Sequence, residues 1–187
     1  MPLLLPKNLP RYECLLEAAK AFPDLDPSAC EAFLHLLRAG DVAFQMGEDY
    51  FAGHNITPGR FSVLMLLLQK TKDCPQPNTP AELAELCGVT RATMTGLVDT
   101  LERDGLVRRE ADTHDRRMMT VHLTPKGHAQ MAAILPGHFK RIAAVMQPLS
   151  AQERRTLTDL LGKIIRHSTG YGDPAAPSPV SGVHVHV

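Results

Sequence analysis

Two short stretches of this 187-residue chain carry side chains suited to reading a polyanion. Thr90, Arg91, Thr93, Met94 and Thr95 place three hydroxyls, one guanidinium and one thioether within six consecutive positions. Small hydroxyls let a backbone come close to phosphates, while a single arginine can still reach a base edge. The second stretch runs from Asp112 to Arg117 and sets Arg116 and Arg117 beside Asp115. An arginine at the tip of a ribbon fits a narrow minor groove, and a neighbouring carboxylate holds its fork in place beforehand. This chemistry is hydrogen bonding and charge neutralisation. The chain has no GxSxG, no P-loop and no HExxH, so neither an enzyme nor a cofactor is expected.

The flanking residues say how these groups would be positioned. Thr79, Pro80 and Glu82 read as N-cap, first-turn proline and box glutamate, opening a short helix to Cys87. Gly88 turns the chain. Thr90 then caps a helix to about Asp104, which Gly105 stops. Leu97, Val98 and Leu101 give that helix an apolar attachment face. Short helix, tight turn and longer helix make a helix-turn-helix, whose second helix enters the major groove and meets base edges with its first residues. Leu106 to Arg109 and Met118 to Leu123 read as a hairpin whose tip is the second stretch. The expected fold is mainly α with a small β-hairpin wing.

The remaining elements follow the same signals. Tyr12, Leu15, Leu16 and Ala19 mark a short amphipathic helix over 9–22. Ser28 and Glu31 have capping-box spacing for a helix to about Phe51, which Gly53 to Asn55 would end. Thr57 and Pro58 open a helix that is apolar nearly all round from Phe61 to Leu68, and so buried. Thr124 and Pro125 open a long helix that Pro136 and Gly137 should kink or split. Ser150 and Glu153 box a last helix striped by Leu157, Leu160, Leu161, Ile164 and Ile165. Beyond it the composition turns to Pro, Ala, Ser, Gly and Val, a flexible tail without its own core.

Composition excludes several classes. Hydrophobic residues make up 44% and charged residues 21%, as in a soluble globular chain. Lys+Arg and Asp+Glu are 20 each, so recognition of nucleic acid rests on where the arginines sit and not on their number. Val63 to Leu68, the strongest apolar run, is far short of the roughly 20 residues of a membrane helix. The start of the chain lacks the basic region of a signal peptide. Cys14, Cys30, Cys74 and Cys87 form no CxxC. A reduced, cytoplasmic chain with no membrane engagement is expected. The nine histidines make no His-x3-His pair and no convergent set of three or four ligands, so no metal is expected.

The run from Thr79 to Arg109, together with Asp115 to Gly127, resembles the MarR family of bacterial regulators over roughly Ser28 to His167. The resemblance implies a winged helix-turn-helix lobe plus a helical dimerisation domain, in a homodimer that binds a palindromic operator in double-stranded DNA. Residues 1–27 would be an N-terminal extension with a short extra helix, and 28–168 the family domain. Within that domain the winged lobe would span about 57–124, with dimerisation helices over 28–52 and 125–168, and 169–187 would be the Pro-rich tail. Thr90 to Thr95 would lie on the recognition helix, and Asp115, Arg116 and Arg117 on the wing. The family further implies a repressor released by a small anionic aromatic or phenolic ligand held between the dimer helices and the winged lobe. Arg38 and Arg60 could meet its carboxylate, and Tyr12, Phe44 and Met46 could supply apolar walls. The extra helix and the stretch from Thr57 to Leu64 are similar to the branch that includes urate-responsive regulators. That branch carries Trp on the extra helix, an acid where Ser62 stands and Arg where Gly96 stands. None is present here, which points away from urate and leaves an aromatic acid as the ligand class.

Two other readings fit the same residues. Cys30 lies near a helix start, where a thiol can be activated, so a thiol-based redox-sensing repressor is one. A winged-helix module acting only through protein contacts is the other. Salt-sensitive, sequence-specific duplex binding separates it from a DNA-binding regulator.

Overall fold

The computed structural model describes residues 8–68, 79–111 and 118–170. Helices α1 (Tyr12–Ala21), α2 (Pro27–Ala52) and α3 (Pro58–Leu68) precede the pair α4 (Pro80–Cys87) and α5 (Arg91–Arg103). Strands β1 (Val107–Ala111) and β2 (Met119–Leu123) follow, then α6 (Pro125–Met146) and α7 (Ala151–Gly170). The wing is an antiparallel pair in which Val107 faces Leu123 and Ala111 faces Met119.

The described residues up to Lys140 form one compact unit and those from Arg141 on another. The core of the first is a single apolar cluster. α3 supplies Phe61, Val63, Leu64 and Leu67, α5 supplies Met94, Val98 and Leu101, and the wing closes it with Val107 and Val121. Burying side chains of this size stabilises by about 1.5–3 kcal/mol each, so α3 anchors the lobe on which the functional surface is built. Phe51 of α2 stacks on Phe61 at 4.3 Å between ring centres. The His138 ring of α6 meets Phe61 edge-on at 4.8 Å, and burial pushes its pKa down, toward the neutral form.

Two local readings change. The N-cap of α2 is Asp26 rather than Ser28: its carboxylate accepts from the amides of Ser28 and Ala29 at 2.9 and 3.2 Å. Pro27 takes the first helical position, where a missing N–H costs nothing, and this moves the start forward. α2 ends at Ala52 and turns through Gly53 to Asn55 as expected, with Asn55, at φ 53°, as the left-handed residue. α6 is not split at Pro136 but runs through it. Tertiary contact holds its middle: Ile134 is fully buried, and its carbonyl accepts a hydrogen bond from Tyr50 Oη at 2.7 Å.

In the second unit, Ser150 and Glu153 form the expected reciprocal cap of α7, at 2.7 and 3.3 Å. Arg154 donates to the carbonyls of Met146 and Leu149. Leu160, Ile164 and Ile165 stand exposed on this helix.

Candidate functional site

The helix-turn-helix is built from side-chain caps. Thr79 Oγ1 accepts from the Glu82 amide at 3.2 Å, while the Thr79 amide donates to Glu82 Oε2 at 2.9 Å. Gly88 closes α4 at φ 63°, a backbone shape that glycine adopts without strain. Two residues later Thr90 Oγ1 accepts from the Thr93 amide at 3.1 Å and opens α5. The start of α5 is therefore set by backbone chemistry that the sequence encodes locally.

This start is exposed. Thr90, Arg91, Thr93 and Thr95 all face solvent. The Arg91 guanidinium makes no hydrogen bond or ion pair among the described residues. Thr95 donates its hydroxyl proton to the Arg91 carbonyl at 2.9 Å, which leaves its oxygen lone pairs free to accept. Met94 is the exception among the residues expected on this surface: it is fully buried. The helical period puts residue 94 on one stripe with 98 and 101, so its thioether belongs to the core, and the outward face consists of hydroxyls and Arg91. Asp115, Arg116 and Arg117 lie outside the described residues.

The wing is fastened to α5 by a clamp not foreseen from the sequence. Arg109 of β1 donates to Glu102 Oε2 and to Asp99 Oδ1, both at 2.6 Å. Its own amide donates to Glu102 Oε1 at 2.9 Å. Burial alone would lower the pKa of this guanidinium, but the two carboxylates outweigh that and hold it above the usual value. A cation seven residues after an acid, across a glycine turn into a strand, was the available signal. Arg109→Ala should lower stability by about 1–2 kcal/mol, less than a fully buried charge pair because Asp99 and Glu102 are partly exposed. It should also weaken duplex binding several-fold by loosening the wing. Thermal melting and anisotropy titration of the same variant check both, and Arg109→Lys should recover only part of either.

The C-terminal end of α5 is gripped as well. Arg60 of α3 pairs with the Asp104 carboxylate, and Lys126 Nζ donates to the Asp104 carbonyl at 2.7 Å. Arg60 is therefore engaged in holding α3 to α5. Arg38 is engaged too, donating to the buried Asp41 at 3.2 Å. Tyr12, Phe44 and Met46 are partly exposed on α1 and α2. None of these five residues lines the cavity described among the residues of the winged lobe. That cavity, of about 480 Å³, lies among α3, α4 and α5. Met65 and Leu66 of α3, Leu86 of α4 and Leu97 of α5 form its apolar walls. Among the described residues its polar side chains are those of Ser62 and Cys87.

At the start of α2, the amides of Ser28 and Ala29 are already taken by the Asp26 carboxylate. No group of three potential metal ligands occurs among the described residues, and no helix among them is long and apolar enough to cross a membrane.

Comparison with known proteins agrees with this architecture. The model of the MarR family matches residues 56–119. The HTH-type transcriptional repressor YetL of Bacillus subtilis is 38% identical over 167 residues, covering 89% of this chain and 98% of that one. A probable transcriptional regulator from Pseudomonas aeruginosa is similar in structure, with 30% identity and a TM-score of 0.56 over 69% of this chain and 92% of that one. The S. aureus MepR–DNA complex shares the fold at 20% identity, with a TM-score of 0.63 over 72% of this chain and 94% of that one. With helix-turn-helix, wing and supporting helices in the family's order, the chain belongs to the MarR family of DNA-binding transcriptional regulators, which are not enzymes.

Proposed function

We propose that the protein is a homodimeric repressor that grips a palindromic operator through the start of α5 and the wing, and releases it when a small aromatic molecule binds. The observation that carries the DNA part is the division of α5 into two faces. Met94, Val98 and Leu101 are fully buried, while Thr90, Arg91, Thr93 and Thr95 are exposed on a helix capped at its start and tied to α3 at its end. Such a helix presents hydroxyls and a guanidinium on a backbone with little freedom left to lose on binding. MepR, of the same fold, is seen on DNA. Exposed Leu160, Ile164 and Ile165 on α7, and exposed Phe33 on α2, are apolar side chains of the kind a homodimer covers. The operator is then expected to contain two half-sites related by a dyad.

Release requires only that the effector prefer a lobe arrangement unsuited to the operator, and couplings of about 1–3 kcal/mol are ordinary for such linkage. The cavity supports this reading because it sits among the helices of the helix-turn-helix itself. The test is anisotropy titration of the DNA upstream of the protein's own gene over a range of salt. Specific, salt-sensitive binding is expected. Arg116→Ala and Arg91→Ala should each weaken it about tenfold and reduce the salt slope by about one. Affinity and slope that both stay at the wild-type value would remove that arginine from the interface.

A further inference from the structure

We infer that Arg91 reads a guanine in each operator half-site, and that Thr95, one turn on, reads the exocyclic amino group of an adenine or cytosine close to it. The inference rests on the operator binding proposed above and names the bases recognised there.

The first two turns of α5 sort their polar side chains by what each still has to offer. Arg91 is the one charged side chain in the run 91–98, and its guanidinium is exposed and unpaired among the described residues. Its N–H fork is therefore complete. Asp99, the first carboxylate along α5, is engaged by Arg109 of the wing at 2.6 Å rather than by Arg91. Thr95 Oγ1 already donates its proton to the Arg91 carbonyl at 2.9 Å, so toward DNA it can only accept. Thr90 and Thr93 differ from it. Thr90 Oγ1 accepts from the Thr93 amide at 3.1 Å, and the two hydroxyls share a hydrogen bond at 2.9 Å. Whichever hydroxyl donates in that bond, the other keeps its proton, and a free O–H suits a phosphate oxygen.

Position separates the two kinds. With about 3.6 residues per turn, Arg91 and Thr95 share one flank of the exposed face, and Thr93 lies on the other. Between the flanks run Ala92 and Gly96, exposed and small, and a Cβ added to Gly96 would meet nothing within 4 Å. That bare strip lets the backbone come near the floor of a major groove, which brings the Arg91 and Thr95 flank to base edges.

Base chemistry then selects. In the major groove guanine alone shows two adjacent acceptors, N7 and O6, which match a guanidinium fork. Adenine sets a donor beside its acceptor, and cytosine shows a donor. An acceptor-only hydroxyl has the opposite preference. Guanine O6, thymine O4 and phosphate oxygens repel it, while adenine N6–H or cytosine N4–H satisfies it. Four residues of helix advance about 6 Å, and B-DNA rises about 3.4 Å per base pair. The two contacts then fall within about two base pairs of each other.

The experiment uses full-length protein and the operator upstream of its gene, with one base at a time replaced in both half-sites. 7-Deazaguanine removes N7 from a guanine, while purine and pyrimidin-2-one remove the amino groups of adenine and cytosine. Affinities come from anisotropy titration at one salt concentration, and melting curves check that each variant is folded. At one dyad-related guanine, 7-deazaguanine should weaken wild-type binding about tenfold and leave that of Arg91→Ala unchanged. Within about two base pairs of it, loss of an amino group should weaken wild type and Thr95→Ser several-fold and leave Thr95→Val unchanged. Which analogue acts tells adenine from cytosine. Equal sensitivity of wild type and Arg91→Ala to 7-deazaguanine at every position would overturn the guanine assignment and make Arg91 a phosphate contact. Equal sensitivity of wild type and Thr95→Val to every amino-group removal would overturn the Thr95 assignment. Wild-type protein that prefers the upstream duplex no more than a scrambled one would overturn the operator binding itself, and this inference with it.

Discussion

Gly127→Ala should unfold the junction between α6 and the wing, lowering stability by about 3 kcal/mol or more. A Cβ built on Gly127 would lie 2.1 Å from the Leu106 carbonyl oxygen and 3.1 Å from Leu123. The obstacle is backbone, so no rotamer change relieves it. Nor is that carbonyl free to retreat, because it accepts from the Thr124 amide at 3.1 Å and from Thr124 Oγ1 at 3.2 Å. Moving it would also drag Leu106, which follows the Gly105 turn at the end of α5, and with it the recognition helix. In a chain of this length such a loss corresponds to a fall in Tm of roughly 6–12 °C. Gly137→Ala is the instructive comparison. There the new methyl meets the Tyr50 side chain at 2.3 Å, and a side chain can swing aside. The cost is then mainly the Tyr50 hydrogen bond to Ile134, about 1 kcal/mol. Thermal melting followed by circular dichroism checks the ranking. A Gly127→Ala protein that melts within about 2 °C of wild type would show that α6 does not press on the wing in this way.

The contrast explains how much of the molecule was legible in its sequence. Caps are local, and those around the functional surface read correctly: the reciprocal box of Thr79 and Glu82, the turn at Gly88, and the Thr90 cap of α5. They fix where the recognition helix starts, and so which side chains lie at its beginning. Which of those side chains face outward depends on the rest of the lobe. Met94 sits among threonines in the sequence, but one apolar position every three to four residues decides its fate, and it is buried. The same limit governs charged residues. Arg60 and Asp104 are far apart in the chain, as are Gly127 and Leu106 in the sense that matters, and nothing in local pattern says that they meet. Arg38 and Arg60 looked available for an anionic ligand because their partners were not yet visible. Pro136 looked like a break because the contact of α6 with Tyr50 was not yet visible either.

Gly96 offers the sharpest separation of stability from function, since Gly96→Glu should make the protein more stable and bind duplex about a hundredfold more weakly. Glycine inside a helix costs about 1 kcal/mol relative to better helix formers. Here nothing in the protein requires it: Gly96 has no positive φ, and a Cβ added to it would meet nothing within 4 Å. It lies on the exposed side of α5, one turn after Ala92 and beside Thr93. Glutamate there is cheaper for folding than glycine, so the gain in Tm should be roughly 2–4 °C. If this face lies in the major groove, the space is filled by DNA, and a carboxylate would be brought against phosphates and acceptor-rich base edges. A hundredfold loss corresponds to about 2.7 kcal/mol, modest for a misplaced charge at such an interface. Gly96→Ala isolates the steric part. It should stabilise by a similar amount, weaken specific binding about tenfold and leave the salt slope unchanged, because no charge is altered. Melting curves and anisotropy titrations on both variants are sufficient. Higher stability with unaltered affinity in both would mean that α5 meets DNA through the Arg91 and Thr95 side alone, and the orientation of the recognition helix would have to be turned accordingly.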